Sequence, residues 1–182
     1  LWAAPGLRGD KLLLLQKEVL ERQFGVPEND IQKGQEIFKG GYEIILASNA
    51  NDEKLKNNLE NYAQSKFDDK TAKSFVDQIT NVWWYNFLRI DPAVALVKVK
   101  CPVLALNGSK DLQVPATVNL EAIKKALIKA GNKNVTIKEL PDLNHLFQES
   151  KTGSPSEYGQ IEQTISPIIL TEVLNWLRLQ VK

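Results

Sequence analysis

The sequence predicts an α/β fold, with a parallel sheet in the second half of the chain and a long helical segment before it. Three observations carry this expectation. From residue 91 onward the order reads helix, strand, helix, strand, loop, helix, the alternation that surrounds a parallel sheet. "CPVLALNG" is an apolar run with Pro102 at its start and Gly108 after its end, as in a strand buried on both faces. Before residue 91, helical signals recur for some eighty residues with no convincing strand.

Taken in order, "LWAAPG" reads as the end of a buried strand entering a Pro-Gly turn. Asp10 is an N-cap for a helix carrying Leu12, Leu15, Val19 and Leu20, stopped by Gly25. "ENDIQKGQEIFKGGYEIILAS" is a second helical stretch, with an interruption expected at Gly40-Gly41. A third helix follows "SNAND", with Leu55, Leu59, Tyr62 and Phe67 near helical spacing, and "DDKTAKSFVDQIT" is a fourth. "NVWWYNFLRI" then packs four aromatics and Leu88 into ten residues.

"DPAVALVKV" is a short helix with Asp91 at the cap and Pro92 at the first helical position. The strand "CPVLALNG" follows. "VPATVNLEAIKKALIKAGNKN" is an amphipathic helix with Val118, Ile123, Ala126, Leu127 and Ala130 inward and Gly131 as its stop. "VTIKEL" is a second strand, with Val135 and Ile137 alternating. Residues 151–163 are polar, contain Gly153, Pro155 and Gly159, and are expected to be a loop. The last helix starts at Ser166-Pro167.

The bulk composition narrows the function. The chain has 182 residues, 43% hydrophobic and 25% charged, the balance of a soluble globular protein with a core. A net charge of +1 gives no electrostatic basis for a nucleic-acid partner or an anionic membrane surface. The apolar run from Leu12 to Leu15, like every other in the sequence, is too short for a membrane span. One cysteine, Cys101, and one histidine, His145, cannot supply a zinc site, and no other metal or cofactor is implied. Cys101 is expected to be buried near its strand start. The opening "LWAAPGLRGD" starts in mid-pattern, so a fragment of a longer protein is expected; no signal is readable and the localisation stays open.

In open α/β sheets the functional groups collect in loops beyond the C-terminal strand ends. The loop after "PVLALNG" carries Asp111 and the loop after "VTIKEL" carries His145. Adjacent parallel strands would place these loops side by side. An aspartate and a histidine brought together there are two members of a hydrolytic triad: the imidazole moves the proton and the carboxylate fixes its tautomer. Asp142 is the rival acid, three residues before His145.

"RIDPAVALVKVKCPVLALNGSKDLQVP", followed by a helix, a strand and "DLNHLFQ", resembles the C-terminal part of bacterial α/β-hydrolases. The likeness is to the esterase-like branch related to serine aminopeptidases and dienelactone hydrolases. "TISPIILTEVLNWL" is similar to that branch's last helix, and "LWAAPGLRGDKLLLLQ" to the strand that enters its cap. The resemblance implies a fold class, the C-terminal part of an α/β-hydrolase parallel sheet with a helical cap. Residues 1–6 would be the remnant of a sheet strand, 7–90 the cap and 91–182 the rest of the core. It implies Asp111 as triad acid, His145 as triad base, and Trp83, Trp84 and Phe87 as lining of a substrate pocket.

The departure from that family is the nucleophile. No Gly-x-Ser-x-Gly elbow occurs in the sequence, so the serine is expected upstream of Leu1. The expected parent is a serine hydrolase acting on small-molecule carboxylic esters, and this chain alone is expected to be inactive. The alternative is a stand-alone binding or interaction module derived from a hydrolase. In either case an exposed sheet edge would favour self-association.

Overall fold

The computed structural model describes residues 1–49 and 53–181. The chain divides into two compact units, one formed by Leu1–Leu7 with Asp91–Lys182 and the other by Arg8–Ile90.

The first unit is built on two parallel strands, β1 (Val103–Gly108) and β2 (Val135–Leu140), in register from Val103 opposite Val135 to Gly108 opposite Leu140. The crossover is helix α7 (Ala116–Lys129), which buries Leu120, Ile123, Ala126 and Leu127. With Val103 and Ala105 of β1 these side chains form one apolar core. On the other face Leu104 and Leu106 meet Leu140, Leu143, Phe147 and Ile169. Every residue of β1 is buried, the apolar ones against both cores and Asn107 with its side chain donating to the Val114 carbonyl. Ile169 comes from helix α8 (Pro167–Gln180), and helix α6 (Pro92–Leu96) precedes β1. Both carry the expected caps: the Asp91 side chain accepts from the Ala93 N–H and the Ser166 side chain from the Ile168 N–H.

This corrects the expected fold class. Among the described residues the sheet has two strands rather than the several of an α/β-hydrolase, and helix dominates the chain. "LWAAPG" does not extend the sheet as a strand. Trp2 makes a single parallel bridge to Leu106, and Ala3 at once turns to a φ of 44°, out of the extended region. The segment then leaves β1 and is held by Asn119, whose buried side chain accepts from the N–H groups of Gly6 and Leu7. Cys101 is exposed rather than buried, because β1 begins only at Val103. Val118 likewise points outward, Leu120 taking the inward place.

The second unit is helical: α1 (Gly9–Gln23), α2 (Glu28–Leu46), α3 (Glu53–Gln64), α4 (Asp69–Ile79) and α5 (Val82–Phe87). Tyr42, Ile45, Leu59, Phe75, Ile79 and Leu88 form the centre of its core. Asp10 is not the N-cap of α1. Arg8 holds that position, and Asp10 lies in the first turn, bound to the Arg8 guanidinium at 2.6 and 2.9 Å. The expected break at Gly40-Gly41 is absent, and α2 runs straight through. A Cβ on Gly40 would stand 2.2 Å from the Tyr62 hydroxyl, and one on Gly41 would stand 2.8 Å from the Phe75 ring. These glycines let neighbouring helices approach closely; they do not stop the helix. The segment "AND" at 50–52, expected to precede the third helix, lies outside the described residues.

Candidate functional site

The two strand ends define the site. Beyond Gly108, the Ser109 N–H donates to the Leu140 carbonyl and the Lys110 N–H to the Leu143 carbonyl, which pins the first loop to the second. Gly108 allows this approach: a Cβ there would stand 2.1 Å from the Leu143 carbonyl oxygen. In the first loop the Asp111 side chain is fully enclosed. Its Oδ1 accepts from the backbone N–H groups of Gln113 and Val114 at 2.9 and 2.8 Å. Its Oδ2 lies 2.9 Å from Nδ1 of His145.

The chemistry of that contact follows from the partners. An ionised carboxylate can only accept, so against it a neutral ring carries its proton on Nδ1 and its lone pair on Nε2. The His145 side chain is 28% exposed and that of Asp111 is 0% exposed. The Nδ1 edge of the ring therefore meets an enclosed carboxyl group while the ring remains reachable. This is the arrangement of an imidazole prepared to accept a proton at Nε2. Asp142, the rival acid, is turned away. Its carboxylate pairs with Lys110 at 2.7 Å, and its φ of 59° places it in a tight turn after Pro141.

The His145 loop is fixed by a residue the sequence did not single out. Asn144 is fully buried. Its Oδ1 accepts from the N–H groups of Leu146 and Gln148, and its Nδ2 donates to Oε1 of Gln148. The backbone closes the same turn, with the Asn144 N–H donating to Gln148 and the Phe147 N–H donating to Asn144. Phe147 pays a conformational cost here, a φ of 57° for a buried aromatic residue. A side-chain amide flanking a histidine is a weak signal in a sequence, because the same pair occurs in ordinary turns.

A third segment reaches the site. Residues 151–163, expected to be a loop, contain a 3-10 helix, Pro155–Gln160, capped by the Ser154 side chain. Lys110 donates to the Ser150 carbonyl at 2.8 Å. Gly153, at a φ of 77°, packs so closely on the Lys110 carbonyl that a Cβ would stand 1.9 Å away. Glu157 accepts from the Ser150 hydroxyl and from the Thr152 N–H, and the hydroxyl bond holds its carboxyl below the usual range. Tyr158 arrives on this segment. Its hydroxyl accepts from Nε2 of Gln113 at 3.0 Å. Burial pushes the Tyr158 phenol above its ordinary value, and the nearby Asp111 charge adds to this.

The three aromatics expected to line a pocket belong to the helical unit. Trp84 packs on Tyr42 at the edge of that unit's core, with ring centroids 5.8 Å apart. Trp83 is 57% exposed and stacks on Phe87 at 4.6 Å with an interplanar angle of 8°. Among the described residues no hydroxyl or thiol is hydrogen-bonded to the His145 ring, and no cluster of His, Cys, Asp and Glu has the makings of a metal site. No described helix is long and apolar enough to cross a membrane. No family model matches the chain, and no curated protein or solved structure is significantly similar to it.

Proposed function

We propose that Asp111 and His145 are the acid and base of a serine hydrolase of the α/β-hydrolase superfamily. Its substrates are small carboxylic esters, and its nucleophilic serine lies upstream of this sequence. The observation that carries the reading is the Nδ1–Oδ2 contact of 2.9 Å between a partly exposed imidazole and a fully enclosed carboxylate. In the reaction, His145 Nε2 takes the serine proton as the serine attacks the ester carbonyl, then returns it to the leaving alcohol. Asp111 holds the ring and balances the imidazolium that forms. No metal or organic cofactor enters this scheme.

The test has two arms. The chain by itself is expected to show no turnover of a short p-nitrophenyl ester and no labelling by a fluorophosphonate, since acyl transfer needs an activated nucleophile. Extended by the coding sequence that precedes it, the protein is expected to contain Gly-x-Ser-x-Gly and to lose hydrolysis by a factor of roughly 10⁴ in Asp111→Asn. Turnover by the short chain, abolished in His145→Ala, overturns the external nucleophile. A start codon at the beginning of this sequence favours instead a non-catalytic binding module, which the absence of an elbow motif would also suit.

Self-association belongs to the same reading. Leu1 and Trp2 are each 47% exposed beside β1, and Leu174 and Leu177 of α8 are half-exposed. Apolar surface of this kind beside a sheet edge favours pairing between chains. Light scattering is expected to show mass rising with concentration; a monodisperse monomer over a wide range overturns it.

A further inference from the structure

We infer that the outer flank of α8 docks a second copy of this chain, the two helices antiparallel, with Leu174 against the partner's Leu177 and Leu170 against the partner's Val181. This contact rests on the self-association proposed above and gives it a surface and a register.

α8 carries two apolar stripes. Ile169, Val173 and Trp176, spaced by four and three residues, pack into the core beneath the helix. Leu170, Leu174, Leu177 and Val181 repeat that spacing one residue later, and they stay 51, 48, 46 and 78% exposed. Val181 stands just past the helix but closes the stripe, because its N–H still donates to the Leu177 carbonyl. At roughly 100° per residue the four fall within about 60° of one another, and no charged residue lies among them. A surface helix with a single buried stripe would turn polar side chains outward here. The other flank of α8 is fastened to β2: Lys138 pairs with Glu172, and Trp176 Nε1 donates to the Thr136 hydroxyl at 3.2 Å. The exposed stripe therefore overhangs the opposite side, toward Leu1 and Trp2, which line one apolar groove together with Val173 and Trp176.

The spacing selects the occupant. Positions 170, 174, 177 and 181 are separated by four, three and four residues, an order that reads the same in both directions. Such a stripe is complementary to itself after a two-fold rotation: inner leucines meet inner leucines, and the outer pair meets the outer pair. A closed pair of copies requires an isologous patch of this kind. The same axis brings the Leu1–Trp2 sides of the two copies together, so both apolar surfaces are covered at once. The area fits a reversible pair. Transient contacts bury less than about 1,200 Å² in total and obligate dimers about 2,000 Å² or more, and one four-residue stripe per copy, widened by Leu1 and Trp2, belongs to the smaller class.

Sedimentation equilibrium of the full chain tests the surface. Leu174→Lys and Leu177→Glu are each expected to weaken association by roughly tenfold or more, since each buries an unpaired charge, with an unchanged circular dichroism spectrum. An equimolar mixture of the two variants is expected to recover most of the loss, because the new lysine of one faces the new glutamate of the other. Cross-linking tests the register without a charged substitution, and so decides it even where a charged variant fails to fold. In a Cys101→Ser background, Leu174→Cys and Leu177→Cys chains mixed in air are expected to form a mixed disulfide. Leu170→Cys is expected not to pair with itself, its two copies lying roughly 16 Å apart along the helices. Wild-type mass that rises with concentration and rises equally in Leu174→Lys and Leu177→Glu overturns the α8 contact and leaves self-association standing. Leu170→Cys chains that cross-link as readily as the mixed pair overturn the register. A wild type that stays monomeric overturns the contact and the self-association together.

Discussion

Gly108 and Leu143 touch backbone to backbone at the end of the sheet, so closely that a Cβ on Gly108 would stand 2.1 Å from the Leu143 carbonyl oxygen. Gly108 ends β1 immediately before the Asp111 loop, and Leu143 lies two residues before His145. The spacing of the Asp111 and His145 loops therefore depends on a missing side chain.

Gly108→Ala is the direct check. The methyl group must push the two loops apart, because its nearest neighbours are backbone atoms that cannot swing aside. Overpacking of this kind costs about 1–3 kcal/mol. The expected outcome is a lower urea midpoint with an unchanged slope, together with faster solvent exchange of a His145 Nδ1 proton than in the wild type, read by nitrogen-detected NMR. Unchanged exchange would show that the loops are spaced by something other than Gly108.

Asn144→Ala removes the centre of the His145 turn. The side chain serves the N–H groups of Leu146 and Gln148 and the amide of Gln148, all within a buried turn that holds Phe147 at positive φ. Leaving such groups unpaired costs about 1–3 kcal/mol. The turn is expected to relax, broadening the His145 ring signals and lowering stability. A variant with sharp, unshifted His145 signals would remove Asn144 from the account of the site.

Much of this part of the molecule was legible in the sequence, and the reasons are local. β1 and β2 are short runs with clear ends, and a strand end fixes where its loop starts. Thus the neighbourhood of Asp111 and His145 followed from two strands and one crossover helix. The number of strands did not follow, because pairing is not a local property. Trp2 has a strand-like context but turns away after one bridge. Gly40 and Gly41 misled for the opposite reason: locally they weaken a helix, and only Tyr62 and Phe75 on neighbouring helices explain them. Ser154-Pro155 announced the 3-10 helix by the same Ser-Pro start as α8, masked by surrounding polar residues.

In the helical unit, Arg89 closes the end of α2. Its guanidinium donates to the carbonyls of Ile45, Ser48 and Tyr85 and stacks on the Tyr85 ring, 3.7 Å from its centroid. A planar, forked cation suits three carbonyls and an aromatic face; a lysine provides one point charge. Arg89→Ala is expected to destabilise this unit by about 2 kcal/mol, within the range for charged hydrogen bonds. Arg89→Lys is expected to recover less than half of that loss. Full recovery by lysine in a chemical-denaturation series would show that charge alone matters.

Asp10 gives the unit a pH dependence whose direction can be worked out. Burial pulls its carboxyl upward, but the Arg8 hydrogen bond and charge, with Lys11 adding to them, outweigh this and leave it below the usual range. The unfolded chain, with an aspartate at about 3.9, therefore binds more protons than the folded one in the interval between the two values. Stability from this pair is complete above the unfolded value and is lost as pH falls through the folded one. Asp10→Asn cannot titrate, so its urea midpoint is expected to fall less steeply than the wild type below pH 4, measured by circular dichroism. At neutral pH the variant should be the less stable of the two, because the ion pair between Arg8 and Asp10 is lost. Parallel acid limbs for the two proteins would show that the Arg8–Asp10 pair, at 2.6 Å, contributes nothing to folding.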